Sequence, residues 1–422
     1  MIESGPTKEI QRIESLDVLR GFSLLGILLL NILGFAFVQA AYTAPALTIH
    51  SSADLFAWLV VELTAEGAMR ALFSMLFGAG VVLFLSRDVS GRSLLHWKRN
   101  FWLLIFGLIN GYVLLWTGDI LVTYALCGFL LYFARNVSGK RLLIASGVLI
   151  VLLTLYNTAM HFGLAYMQGL ADEAARLQEQ GEALTDELVV MQTDWLKFQR
   201  EALPAATVIA DEIALRSGTY QSAFQWTLQQ NTEILLGRIW LILLPDALTV
   251  MLLGMALYKL GVLQGQLKQS IYRNMAIFGF AIGFAINAYE IWLSYSSGFE
   301  ILASFSAIGP TYHVGRIALA LGWVGLIVLV HRNLNVGARL AATGRMALTN
   351  YLLHSLICLF IFTGAGLGWI NQLARWEVYG VVLGVWILQL YLSPWWLKRY
   401  HFGPVEWIWR ALTYGSAPRF KR

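Results

Sequence analysis

The sequence predicts an all-α fold, a polytopic transmembrane helix bundle of about ten helices with a helical insertion on the outer side. Three observations lead there. Of 422 residues, 58% are hydrophobic and 13% charged, with a mean hydropathy of +0.63, whereas a water-soluble domain carries about a quarter charged residues. The apolar residues gather into runs of about twenty, the length that crosses roughly 30 Å of hydrocarbon at about 1.5 Å per residue. Lys and Arg collect in alternate loops, as the positive-inside rule requires of a threaded chain.

The first run is Leu16 to Val38. With Ala40, Ala41 and Ala44 behind it, it mimics a secretory signal, but it exceeds the ~7–15 residues of a signal core and contains Asn31, so it reads as an uncleaved helix. Asp54 to Leu63 is too short to cross; it is expected to lie on the outer surface or dip in as a half-helix before Glu66 and Gly67 turn the chain. The remaining spans are Met69 to Ser86, Asn100 to Trp116, Ile120 to Ala134, Leu142 to His161, Ile234 to Tyr258, Asn274 to Tyr295, Tyr312 to Val330, Met346 to Gly364 and Val378 to Leu397.

Loops assigned to the cytoplasm hold 22 of the 30 basic residues, among them Lys8, Arg12, Arg87, Arg99, Lys259, Arg345 and Arg410. Gln39 to Ala53, Thr117 to Asp119 and Ser296 to Thr311 hold none, which places both termini inside a bacterial inner membrane. The net charge of +5 is therefore a topology signal, and no nucleic-acid partner is expected. From Phe162 to Glu233 the balance reverses, eleven acidic residues against four basic. The chain thus divides into residues 1–161, N-terminal spans; 162–233, an acidic outer insertion of two or three helices; and 234–422, C-terminal spans and tail. Cys127 and Cys358 lie inside apolar runs, so no disulfide framework is readable. Gly107/Gly111, Gly279/Gly283 and Gly380/Gly384 place small residues one turn apart, a spacing that lets helices approach in lipid.

An ionisable group inside a span costs about 2.5–3.5 kcal/mol, so each one needs a partner or a purpose. Asp17 and Arg20 stand one turn apart, as a capping ion pair or a ligand site. Asn31 glues helices or lines a polar path. Glu66 and Arg70, at i and i+4, form an intrahelical pair. Asp119, in the tight turn Gly118-Asp119-Ile120, N-caps the next span. Pro245 breaks the sixth span, and Asp246 caps the freed amides. Arg238, Glu290 and Arg316 snorkel to the surface. His354, two turns into the ninth span with Asn350 at i−4, suits proton transfer or a structural hydrogen bond, whereas His50 reads as a loop residue. No metal-ligand spacing, phosphate-binding glycine loop or serine elbow is present.

Five blocks closely resemble the YeiB-like family of uncharacterised bacterial membrane proteins. They are Arg12-Ile13-Glu14-Ser15-Leu16-Asp17-Val18-Leu19-Arg20-Gly21, Leu72-Phe73-Ser74-Met75-Leu76-Phe77-Gly78-Ala79-Gly80, Gly118-Asp119-Ile120-Leu121, the segment Gly344 to Leu353, and Gly403-Pro404-Val405-Glu406-Trp407-Ile408-Trp409-Arg410. The opening Leu-Asp-x-Leu-Arg-Gly pattern and the late Asn-Tyr-Leu helix also resemble transmembrane acyltransferases such as heparan-α-glucosaminide N-acetyltransferase. In that enzyme an outer-side histidine is catalytic, and His50 is similar to it in position.

The resemblance implies transfer of an acetyl or other acyl group from a cytoplasmic acyl-CoA to a hydroxyl or amine of a cell-envelope glycan or lipid. His354 or His50 would be the base, and Asn31, Asn350 or Arg70 would stabilise the oxyanion. The loop Arg87 to Arg99 and the cationic tail would hold the cofactor's phosphates. The rival expectation is a transporter or flippase of a small polar or lipid-linked solute, with Glu66, Asp119 and Asp246 along its path.

Overall fold

Inside hydrocarbon a backbone amide has only protein to bond, so each apolar run must close its hydrogen bonds as helix. The computed structural model describes residues 13–86, 91–304, 309–334 and 337–422, and their regular structure is helical apart from one antiparallel bridge between Tyr400 and Lys421. Lys8, Arg12 and Arg87 lie outside the described residues. In chain order the helices are α1 (Glu14–Ala36), α2 (Ser52–Thr64), α3 (Ala68–Leu85), α4 (Arg92–Tyr112), α5 (Leu121–Leu131) and α6 (Gly139–Glu179). Next come α7 (Asp186–Ala202), α8 (Ala206–Ser217) and α9 (Tyr220–Glu233), then α10 (Leu244–Lys259), α11 (Gln269–Ser296) and α12 (Ile301–Ser304). The chain closes with α13 (Tyr312–Leu334), α14 (Ala338–Arg345), α15 (Ala347–Phe362), α16 (Arg375–Leu397) and α17 (Pro404–Tyr414).

Among the described residues seven helical stretches are long and apolar enough to cross a bilayer: α1, α2 with α3, α6, α9 through α10, α11, α13 and α16. The pair α14 and α15, bent by 80°, makes an eighth if taken as one span. Each of the ten expected runs is mainly helical, but the count of ten is not reached. The helix α5 has only 11 residues, and α4 carries Arg92, His96, Lys98 and Arg99 in its first turns.

Helix α1 is the centre of the bundle. Its apolar window is 72% buried, against 17% in α6 and 22% in α11, which leaves those two at the lipid-facing periphery. A helix apolar on every side is the kind that other helices surround. Close backbone approach supports this packing. A Cβ on Gly21 would fall on the Leu340 carbonyl and one on Gly344 on the Asp17 carbonyl, so α14 presses on the start of α1. Gly279 and Gly283 of α11 lie against Gly322 and Leu319 of α13, and Gly107 against Val122. Gly380 and Gly384 depart from the expected packing role: nothing lies within 4 Å of either added Cβ.

Two helix boundaries correct the sequence reading. Glu66 and Gly67 do not turn the chain back, because α2 and α3 continue as one apolar stretch, Ser52–Leu85, with a local break. Gly67 has φ +63°, and a Cβ there would also press on the Arg316 side chain. The break frees carbonyls in the last turn of α2, and two neighbours take them: Asn287 donates to Glu62 and Leu63, and the Trp323 indole to Thr64. Pro245 does interrupt the sixth span, but the chain stays helical there. A π-helical stretch, Ile234–Leu243, precedes it, and the proline enters the first turn of α10, where its missing N–H costs little.

The insertion is not set apart from the bundle. Residue 161 lies inside the 41-residue α6, and α9 passes directly into the π-helical stretch. Its anchor is Arg216 of α8, whose guanidinium donates to the carbonyls of Gly34, Phe35 and Phe37 at the end of α1 and to Glu212. One buried arginine thereby caps a helix C-terminus with charge of the right sign.

Candidate functional site

The first turns of α13 bring Tyr312, His313 and Arg316 against Asp246 at the start of α10 and Arg70 in α3. Arg316 is 2% exposed, and its two terminal nitrogens grip both oxygens of Asp246, one bond measuring 3.0 Å. The same guanidinium donates to His313 Nδ1 at 2.8 Å and stands 4.8 Å over the Tyr312 ring. Arg70 Nη2 lies 3.6 Å from Asp246 and donates to the Tyr312 hydroxyl at 2.8 Å. One carboxylate thus serves two cations. Such a buried pair is held by geometry and hydrogen bonding, since desolvation cancels most of the Coulomb gain.

This arrangement corrects three expectations. The Glu66–Arg70 pair is not closed to ion-pair distance: Arg70 contacts Asp246 and Tyr312 and acts on Glu66 as a nearby opposite charge. Asp246 binds Arg316 instead of capping freed amides. Arg316 is buried, whereas snorkelling would have taken it to the surface.

Beside the cluster is a cavity of about 60 Å³ lined by Tyr42, Trp58, Glu62, Glu66, Asn287, Glu290, Tyr312 and Arg316, among others. Glu290 accepts from Thr311 Oγ1 at 2.5 Å. Arg375, the first residue of α16, is also 2% exposed; it donates to Thr48 at 2.7 Å and acts on Glu62 and Glu66 as an opposite charge. The space takes a few waters or the polar end of a larger solute. Its wall offers both carboxylate acceptors and phenol and guanidinium donors. Among the described residues no His, Cys, Asp and Glu group converges as a metal site.

The other sequence-predicted residues occupy separate places. Asp17 and Arg20 form the expected pair at 2.9 Å at the start of α1. Asn31 is half-buried on the same helix. Asp119 accepts from the Val122 amide at 2.9 Å, the expected cap on α5, and from Asn110 Nδ2 at 2.8 Å. The loop residue His50 is exposed, and its backbone N–H donates to Asp54.

Asn350 and His354 sit together in a buried network on α15 and α16. Asn350 donates to Ser393 Oγ and the Thr343 carbonyl. Gln389 Nε2 is committed to the Asn350 carbonyl, so its Oε1 accepts from His354 Nε2 at 3.0 Å. That bond fixes the proton on Nε2 and leaves Nδ1 a buried acceptor with no hydrogen-bond partner. Neither histidine lines the cavity.

Sequence reasoning passed over Glu62, Tyr312, His313, Arg216 and Arg375. A signal existed for three of them: Glu62 is an acid inside an apolar run, and Arg216 and Arg375 are basic residues on the side whose neighbouring loops have none. For His313 and Tyr312 there was none, since a span end is where aromatic and polar residues normally collect.

Comparison with known proteins adds a family context. A family model described as protein of unknown function, DUF418, matches residues 257–416. The chain is 30% identical over 418 residues to the uncharacterised protein YeiB of Escherichia coli K12, spanning 97% of this chain and 98% of the relative. It is 26% identical over 430 residues to the uncharacterised YxaH of Bacillus subtilis 168, spanning 97% and 96%. An uncharacterised 39.9 kDa protein from Bacillus acidopullulyticus is likewise 26% identical, over 408 residues.

Proposed function

We propose, from the premise that this chain belongs to the DUF418 family of YeiB-like membrane proteins, that it transfers an acyl group from a cytoplasmic acyl-CoA to a polar envelope acceptor held in the Glu62–Glu66–Glu290 cavity. The observation that carries this reading is a polar cavity, walled by acids and cations, inside a bundle of apolar helices. The acceptor's hydroxyl or amine binds the carboxylates, and Glu62 or Glu66 takes its proton as it attacks the thioester carbonyl. Tyr312 in the cavity wall, with Arg70 donating to its hydroxyl from behind, faces the developing oxyanion. The proton returns to the leaving thiolate as the thioester bond breaks. Because His354 and His50 do not line the cavity, the reading gives them no part in this transfer.

Purified protein with radiolabelled acetyl-CoA and envelope extract tests it. Wild type should label an acceptor. Glu62→Gln or Glu66→Gln should lower the rate about 100-fold or more, the usual range for a lost general base. His354→Ala and His50→Ala should stay within a few-fold. Absence of labelled product, or loss with the histidines and not the glutamates, would sink it.

A second reading, transport of a small polar solute through the same cavity, is favoured by the irregular helix beside it: the break at Gly67 and the π-helical stretch before Asp246. Irregular backbone at membrane depth is tolerated where it lines a cavity. Uptake into proteoliposomes that Glu62→Gln abolishes, without labelled product, would select it.

A further inference from the structure

At the end of the bundle where α1 and α4 begin, three half-buried arginines share one small region: Arg20 of α1, Arg99 of α4 and Arg410 of α17. Arg20 and Arg410 both act on Arg99 as like charges. Among the described residues the one ion pair of this group is Arg20 with Asp17. The guanidinium of Arg99 rests on two aromatic faces, 4.5 Å from the Trp409 ring and 4.9 Å from Phe84. Arg410 lies 4.5 Å over Phe402, and its buried Nε has no hydrogen-bond partner. The nearby acid, Glu406, is spent elsewhere: it accepts from the Leu348 and Thr349 amides and the Thr349 hydroxyl. It still acts on Arg410 as an opposite charge, and burial raises its pKa.

The arrangement is held in place by more than charge. The Trp409 indole donates to the Arg99 carbonyl at 2.9 Å, so α17 is fastened to α4 at this point. Aromatic shelves fix the planes of Arg99 and Arg410, and among the described residues neither guanidinium has a carboxylate within ion-pair distance. Guanidiniums gathered this way match the oxygens of a phosphate, which they bind in forked pairs.

We infer that Arg20, Arg99 and Arg410 form a binding site for a phosphate-bearing anion. Two sources carry that chemistry. One is a soluble nucleotide phosphate such as the phosphorylated end of coenzyme A; this source rests on the acyl-transfer reading above. The other is the headgroup of an anionic lipid.

Equilibrium binding of radiolabelled adenosine 3′,5′-bisphosphate to delipidated protein in detergent tests the first. Melting temperature in phosphatidylglycerol against phosphatidylcholine nanodiscs tests the second. Wild type should bind the bisphosphate, or melt higher with the anionic lipid, and the effect should weaken as salt rises. Arg410→Gln and Arg99→Gln should each weaken binding about tenfold, or abolish the lipid difference, as expected for one charge-assisted bond. Arg399→Gln, an exposed tail arginine stacked on Trp395, should leave both unchanged.

Arg410→Lys, which keeps the charge and loses the fork, separates recognition from a failure to fold. The inference is overturned if wild type responds to neither probe, if Arg410→Gln binds as wild type does, or if Arg399→Gln loses as much. Neither probe carries an acyl group, so a negative acyl-transfer assay leaves a positive result here standing.

Discussion

Removing the carboxylate of Asp246 strands Arg316 as an unpaired cation that is 2% exposed. Breaking one side of a buried pair costs about 3–5 kcal/mol, whereas replacing both sides with well-packed apolar residues is often neutral. Asp246→Ala should therefore lower the melting temperature in detergent sharply, and Asp246→Leu with Arg316→Leu should recover most of the loss. If the double variant is as unstable as the single one, the pair is not the unit of stability proposed. Asp246, Glu66 and Arg70 were legible as polar residues that lipid should exclude. Their grouping was not. Arg316 stands at the end of its span, where snorkelling satisfies every local rule, and nothing local in sequence says that the start of α13 faces the start of α10.

Helix packing separates two classes of glycine that look alike along the chain. A Cβ on Gly78 would overlap the Met251 carbonyl and one on Gly254 the Met75 carbonyl, so α3 and α10 touch backbone to backbone. Gly78→Ala or Gly254→Ala should push them apart at a cost of about 1–3 kcal/mol. Gly380→Ala and Gly384→Ala meet open space and should be neutral or gain up to about 1 kcal/mol of helix propensity. Melting of the four variants in one detergent decides it; equal effects would mean that α3 and α10 are not in contact. Spacing identified the α11 contact because two glycines on one helix mark a stripe, and it misjudged α16 because the same stripe can face outward. Gly78 and Gly254 escaped because each has no second glycine one turn away and meets the main chain of a methionine on a distant helix.

The same scale governs the insertion, which is tied to α1 through Arg216. Arg216→Ala frees the Gly34, Phe35 and Phe37 carbonyls from their charged donor. Amides of α8 should then exchange with deuterium faster than in wild type, while those of α13 should not change. Unaltered exchange in α8 would show that other contacts hold it. The helical character of the insertion was readable from its composition. The anchor was not, because its acceptors are main-chain carbonyls that every residue carries.

At the scale of the whole molecule the alternation of charge predicts an orientation that helix geometry can check. The 41 residues of α6 extend roughly 60 Å at about 1.5 Å per residue, about twice the hydrocarbon thickness. One end of that helix must therefore stand clear of the membrane. Asn136, just before α6, lies in a basic stretch between Arg135 and Arg141, and Gln180, just after α6, lies within the acidic insertion; both are exposed. Native Cys127 and Cys358 are buried, so single cysteines introduced at these positions report against a low background. In intact cells with a permeable outer membrane, a membrane-impermeant maleimide should label Gln180→Cys directly and Asn136→Cys only after lysis. Labelling of both from one side would mean that α6 does not cross. The reverse pattern would mean that the insertion faces the cytoplasm, which would put the cavity and the three-arginine cluster on the wrong sides for a cytoplasmic donor and an envelope acceptor.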